Sequence, residues 1–423
     1  MSQHPNTVSL KNFKGIDNVL KPEATNPSFL KKAENVDIDK AGALNKRKGY
    51  TKVASGNFSS IWASTAELGC YAVKDGDLVE VYPDYTFTTV LSNVEDYPIS
   101  MDEVDDLIYF SSPVVNGIID NGIYRSWGIS KNMLQPTLVV TSGNLSSGTY
   151  QVSLTYVNKY GIEGGTVNSS YITVSNNSGI STFIPMSSEP DILYARVYCS
   201  TPDGTVQYYS GIGTLGSNYT ISSISSFSNP LRTQGLDNAP LGHIVKYYRG
   251  RMYVAADNIL WYSEPFQYQH FNLASNYFEF PERIREVMPV EDGIWIGSDR
   301  LYYLSGDNPD EFKRSTKEYV KVVEGTGTRI SGAYIHMDNV PIGYKWLVTT
   351  DLGIWILFNQ GMLINLTSQN LSLEQADSGT SIFLQENGTN QYLSILNTNE
   401  NPNNAIMGDL VEATIVRNGL TIP

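Results

Sequence analysis

The sequence predicts an all-β fold: an irregular β-propeller of about six blades with a small β-sandwich inserted into it. Three observations carry that expectation. Apolar residues recur in short alternating runs rich in Tyr, Val, Ile and Thr, divided by Gly, Asp and Asn turns, which is the period of half-buried strands. A unit of two such runs about a tight turn repeats along the chain. Between two of its copies lies a stretch whose composition differs from the rest.

Taken in order, residues 1–50 read as an extended N-terminal segment, with a short helix expected from Pro27 to Ala33. The repeated hairpin then occurs at Gly69–Pro83, Asp106–Asp120, Arg251–Glu264, Gly293–Gly306, Tyr344–Phe358 and Ser381–Ile395. Steps between successive starts run about 37 to 51 residues, close to the roughly 40–50 of a four-stranded blade. One step, from Asp106 to Arg251, is about a hundred residues longer. Residues 51–135 and 231–423 are therefore assigned to blades, and 136–230 to an inserted domain. In 136–230 only Lys159, Glu163, Glu189, Asp191, Arg196 and Asp203 are charged. Alternation at Gly148–Lys159 and Leu193–Thr201, with frequent turn signals, predicts a β-sandwich there. Closure of the blades is expected from a strand in 43–54 meeting one in 405–417, which would remove exposed sheet edges.

Composition narrows the chemistry. Acidic residues outnumber basic ones 43 to 29, giving −14 at pH 7, which argues against gripping a polyanion through a broad basic face. Cys70 and Cys199 lie far apart and are expected as buried thiols. No signal peptide and no membrane span are expected. His4, His243, His270 and His336 show no zinc-helix spacing. The stretch Asp37–Gly42 opens like a calcium loop, but Ala41 and Lys48 stand where oxygen ligands belong. Phosphate-loop and serine-nucleophile patterns are absent, Gly211-Ile212-Gly213 is too short for a dinucleotide site, and Ser200–Thr205 is a single echo of the sialidase aspartate box. No catalytic residue, metal ligand or cofactor is expected. The tryptophans Trp261, Trp295, Trp346 and Trp355 fall at alternating strand positions and are read as core.

One electrostatic feature stands out. Between Asp75 and Tyr124 there are eleven carboxylates and no Lys, Arg or His. Of these, Asp75, Asp77, Glu95, Asp96, Asp102, Glu103, Asp105 and Asp106 are candidates for an acidic channel or interface wall, with a solvated surface as the plain reading and a glycosidase pair as the remote one. Lys46, Arg47 and Lys48 form a short basic cluster, read as a strand end or subunit contact.

The N-terminal residues carry a resemblance. Phe13, Gly15, Ile16, Asp17 and Asn18, followed by Asn35, Val36, Asp37, Asp39, Gly42, Leu44, Arg47, Gly49 and Tyr50, match an opening that resembles the tail hub or nozzle proteins of short-tailed bacteriophages. The motif covers about forty residues. The resemblance implies a non-enzymatic virion protein, six copies in a ring below portal and adaptor proteins, contacts with other tail proteins, and phage DNA passing through without sequence-specific binding. The insertion similarly resembles a fibronectin-type or immunoglobulin-like sandwich through Gly148–Tyr150, Tyr156–Asn158, Gly161, Glu163 and Arg196–Tyr198, without the paired cysteines of antibody domains. Tail fibres or a host surface are further partners expected at the insertion. The rival expectations are a tail adhesin, with the propeller or the insertion holding a host glycan or protein, and a propeller glycosidase.

Overall fold

In the computed structural model the described residues are 12–31, 36–38, 42–46, 51–224, 228–332, 343–367, 371–373, 375–386, 389–398 and 415–416. They fold almost wholly as antiparallel sheet. The N-terminal segment contributes β1 (Gly15–Ile16) and β2 (Phe29–Leu30), paired in parallel, and β3 (Val36–Ile38) with β4 (Leu44–Lys46), paired as a hairpin. Of the helix expected at Pro27–Ala33, residues 32 and 33 lie outside the described residues, and 27–31 form a turn and strand, not a helix. The Asn26 carboxamide accepts from Ser28 N–H at 2.9 Å and its carbonyl from Phe29 N–H, closing a turn that feeds β2. A side chain that bonds its own backbone in this way competes with the helix.

Six blade-type sheets follow. The first is β5–β8 (Phe58–Ala63, Cys70–Lys74, Asp77–Val81, Phe87–Leu91), and the second β9–β12 (Ser100–Val104, Leu107–Ser111, Asn116–Asp120, Ile123–Arg125). The insertion supplies β13–β19 (Leu138–Leu145, Gly148–Asn158, Ser170–Val174, Ser178–Phe183, Ile192–Ser200, Gln207–Gly213, Asn218–Ile221). The third blade sheet is β20–β24 (Ile244–Tyr248, Arg251–Ala256, Ile259–Glu264, Gln267–Phe271, Tyr277–Glu279), irregular because β23 and β24 both pair with β22. Next come β25–β28 (Glu286–Val290, Gly293–Gly297, Leu301–Ser305, Lys313–Glu318) and β29–β32 (Thr328–Ile330, Lys345–Thr350, Gly353–Leu357, Leu363–Asn365). The sixth is the three-stranded β33–β35 (Ala376–Glu386, Thr389–Thr398, Ile415–Val416). All six hairpins read from the sequence are present, five as the two middle strands of a meander and the sixth as β33–β34. The fold is an irregular β-propeller with an inserted β-sandwich.

The sandwich packs β13-β16-β19 against β15-β14-β17-β18. That is the immunoglobulin-type arrangement of a B–E sheet on a C′–C–F–G sheet, with β19 beside β16 in place of strand D. Its core is Tyr150, Val152, Leu154, Ile180, Val197 and Cys199. Burial pushes the Cys199 thiol up to about 12, so it stays protonated and packs as a small apolar group.

The described residues divide into two compact units, one drawn from Met1–Ala63, Gly69–Pro98 and Phe280–Pro423, the other from Ser64–Leu68 and Ile99–Glu279. In the first, Trp295, Trp346 and Trp355 lie in one apolar cluster with Met288, Val322 and Leu357. Indole N–H groups bond carbonyls of neighbouring elements, Trp295 to Phe358 at 2.7 Å and Trp346 to Pro289 at 2.7 Å. In the second, Trp127 joins Tyr109, Met252, Val254 and Phe271 and donates to the Tyr268 carbonyl at 2.8 Å. Trp261 is only half-buried against that cluster.

The closure expected between 43–54 and 405–417 falls largely on 47–50, 405–414 and 417, which lie outside the described residues. β4 pairs with β3, while β35 pairs with β34, and no described strand of 43–54 meets one of 405–417. Among the described residues, Asn18 of the N-terminal segment donates to the Ser372 carbonyl at 2.8 Å and accepts from the Ser372 N–H at 2.7 Å. A carboxamide offers both a donor and an acceptor, so it can replace a rung of sheet. Asn18→Ala should free this attachment at a cost of about 1–2 kcal/mol, read as faster amide exchange at 12–20 and 371–373 with the core amides unchanged.

Candidate functional site

The eight acidic candidates fall four to each unit, and geometry separates them by use. In the first unit Asp75 takes the left-handed turn position of β6–β7 (φ +53°). It accepts from the Asn57 N–H at 2.8 Å and pairs with Lys74 at 2.6 Å. The Asn57 bond first, then Lys74, hold its carboxyl below the usual range. Asp77 accepts from the Asn93 N–H at 2.9 Å. Both therefore build the hairpin that the first blade needs. Glu95 and Asp96 stand exposed, with no hydrogen bond or ion pair among the described residues.

In the second unit Asp102 bonds the Glu103 N–H at 2.9 Å and the Tyr247 N–H at 2.7 Å, linking β9 to β20. Glu103 collects Ser64 Oγ–H, Thr65 Oγ1–H, the Thr65 N–H at 2.9 Å and the Ala66 N–H at 3.1 Å. Burial alone would raise its pKa, and these donors outweigh burial, so the carboxyl is held below its ordinary value. Asp105 and Asp106 occupy the two left-handed positions of the β9–β10 turn (φ +51° and +60°), the geometry of a type I′ hairpin. Asp105 also accepts from the buried Tyr268, whose phenol is raised mainly by desolvation. Asp106 is exposed. Of the eight, Glu95, Asp96 and Asp106 remain for an external partner.

The run also has neighbours that bring compensation. Lys74 pairs with Asp75 and Arg125 with Asp120, one cation at each flank of the acidic stretch. Lys46 is exposed at the end of β4, and Arg47 and Lys48 lie outside the described residues. Of the resemblance motif, Asp17 is buried and caps its own turn by accepting from the Val19 and Leu20 N–H groups. Gly42 has φ +75° and passes so close to Asn12 that a Cβ would lie 2.7 Å from its Cα, a position only glycine fills without strain. Asn35, Asp39, Arg47, Gly49 and Tyr50 lie outside the described residues.

A second constellation, not foreseen as a site, fixes the insertion to the third blade sheet within the second unit. Glu163 accepts from Tyr198 O–H at 2.7 Å and Thr155 O–H at 2.5 Å, and pairs with Arg196 at 2.6 Å. Its backbone carbonyl lies 2.6 Å from His270 Nε2 on β23. His270 Nδ1 lies 2.9 Å from the Gln267 carboxamide. Beside it, Asn132 N–H bonds the Gly165 carbonyl at 2.8 Å, Gly235 N–H bonds the Thr166 carbonyl at 2.8 Å, and Lys131 pairs with Asp237 at 3.1 Å. Gly165 is required here, since a Cβ would lie 1.9 Å from the Leu236 oxygen. The sequence signal was the rarity of charge in 136–230: a Glu and an Arg in so neutral a stretch find each other.

Desolvation is the main influence on His270 and lowers its pKa, with Glu163 and then Glu264 opposing it. A base whose folded pKa lies below its unfolded one is less protonated in the fold. Its contribution to stability is complete above the ordinary value of 6.5 and is lost as pH falls toward the folded pKa. Urea melts between pH 7.5 and pH 5 should show this decline in the native protein and a flatter profile in His270→Gln.

No protein-family model matches the chain, and no curated protein matches it. Solved structures to which it is similar include BBS1N in complex with ARL6DN, soaked with lead (9% identity, 81% of this chain and 90% of that one, TM-score 0.32). The WD40 domain of Neurospora crassa Pan2 aligns at 8% identity over 80% of this chain and 86% of that one, TM-score 0.31. Saccharomyces cerevisiae Sqt1 aligns at 7% identity over 76% and 77%, TM-score 0.30.

Proposed function

We propose that this chain is a structural virion protein of a short-tailed phage, a tail hub or nozzle assembled as a ring below portal and adaptor, which lines the DNA exit and acts in DNA retention and ejection without catalysis. The observation that carries this reading is the N-terminal motif, Phe13 to Asn18 and Asn35 to Tyr50. The described part of that motif also has a structural use: Asn18 locks onto Ser372, and Gly42 seats against Asn12.

Electrostatics supports the same reading. A protein of net charge −14 with exposed, unpaired Glu95, Asp96 and Asp106 repels a polyanion at short range, so DNA sliding past would not adhere. Repulsion between exposed charges is screened beyond about 10 Å at 0.1 M salt, so only carboxylates near the DNA path matter. Replacing Glu95, Asp96 and Asp106 with lysine in phage should slow ejection in single-particle assays, most at low salt. Unchanged kinetics at every ionic strength would remove these residues from the DNA path.

A further inference from the structure

Two turns carry a combination that local energetics disfavours. Phe266, in the β22–β23 turn, has φ +56° and is 77% exposed. Tyr85, in the topologically equivalent β7–β8 turn, has φ +63° and is 53% exposed. Left-handed backbone is costly for bulky side chains and nearly free for Gly or Asn, and the Phe266 ring lies over Gly250 yet leaves most of its surface in water. Most other left-handed residues of this chain are Asn, Asp or Gly, so these two positions depart from its own habit.

The surroundings of the two turns are opposite in charge. The Phe266 N–H bonds the Gly250 carbonyl at 2.7 Å, which joins the turn to the neighbouring hairpin tip, where exposed Arg249 also has a left-handed φ of +43°. The result is a rigid aromatic knob beside a cation. At the other turn Tyr85 stands with half-exposed Tyr82 and with Asp84, whose carboxyl Thr86 holds ionised. Tyr82 O–H donates to Glu80 at 2.9 Å.

We infer that the Phe266–Arg249 knob of one copy docks on the Tyr82–Asp84–Tyr85 turn of a second copy of this chain, in a head-to-tail contact. An aromatic ring with an adjacent Arg is the composition of an interface anchor, and the tyrosine and carboxylate faces match both parts. Because the knob and its acceptor are different surfaces, the contact is heterologous and propagates into a ring when its rotation closes. It rests on the multi-copy reading above and adds to it the surfaces that meet.

Sedimentation velocity of the purified full chain tests this, with variants Phe266→Asn, Arg249→Glu and Asp84→Arg. Native protein should self-associate, and each variant should weaken association at least about tenfold, the loss of one anchoring contact. Phe266→Asn should do so with an unchanged or higher Tm, since Asn tolerates the left-handed backbone; a merely structural Phe266 would not separate the two readouts. Mixing Arg249→Glu with Asp84→Arg should restore association, because each then meets its complement. Native protein that stays monomeric, or association that no variant alters, or a mixture that remains dissociated, overturns the contact. The copy number in virions is measured separately, so an unaffected ring would reject this interface while leaving the ring itself standing.

Discussion

Replacing Trp295 with alanine should destabilise the chain by about 3–5 kcal/mol, the cost of emptying a large aromatic site in a packed core. Trp295 has no solvent exposure. Its ring lies 4.9 Å from that of Tyr303 and its indole N–H bonds the Phe358 carbonyl, which carries β31 on toward β32. Its loss removes apolar contact and also leaves a buried carbonyl unsatisfied. Thermal or urea unfolding of Trp295→Ala reads the effect, and Trp295→Phe should recover part of it by refilling the volume without the hydrogen bond. Both variants should leave the protection of the β13–β19 amides largely unchanged, since that sandwich has its own core.

Glu163→Ala should cost about 2–3 kcal/mol, and its effect should be local. The substitution strips Tyr198 and Thr155 of their acceptor and leaves Arg196 without its carboxylate. Removing one member of a buried pair costs several kcal/mol; the figure here is discounted because about a third of the Arg196 side chain stays in contact with water. Amide exchange should accelerate at 158–166 and around His270, where the Glu163 carbonyl is held, ahead of the β25–β32 core. Uniform acceleration throughout the chain would mean that this cluster supports the whole fold and not the seat of the insertion.

Much of the architecture was legible because strand period and turn chemistry are local. Each of the six hairpins has its Asp, Asn or Gly at or beside the turn, and the backbone is left-handed at Asp75-Gly76, Asp257 and Gly353. The insertion was visible through its lack of charge. What stayed hidden depends on contacts distant in sequence. Asn18 and Ser372 are 354 residues apart, so no pattern within a window could reveal their carboxamide clamp. The acidic run reads differently in the fold, where Lys74 and Arg125 at its two flanks pair with Asp75 and Asp120. Five of its eight candidates bond backbone or side-chain donors in turns and between strands, a use that a list of carboxylates does not reveal. Phe266 and Tyr85 gave no signal at all, since backbone φ is not written in an aromatic residue.

The central claim is that several copies of this chain form a ring on the axis of a phage tail. Quantitative mass spectrometry of purified virions, calibrated against the portal protein and combined with antibody labelling, tests it most directly. About half the portal copy number is expected, as a six-fold ring beneath a twelve-fold portal requires by symmetry, with label at the tail axis. Peripheral label at another stoichiometry, or absence of the chain from virions, would contradict it.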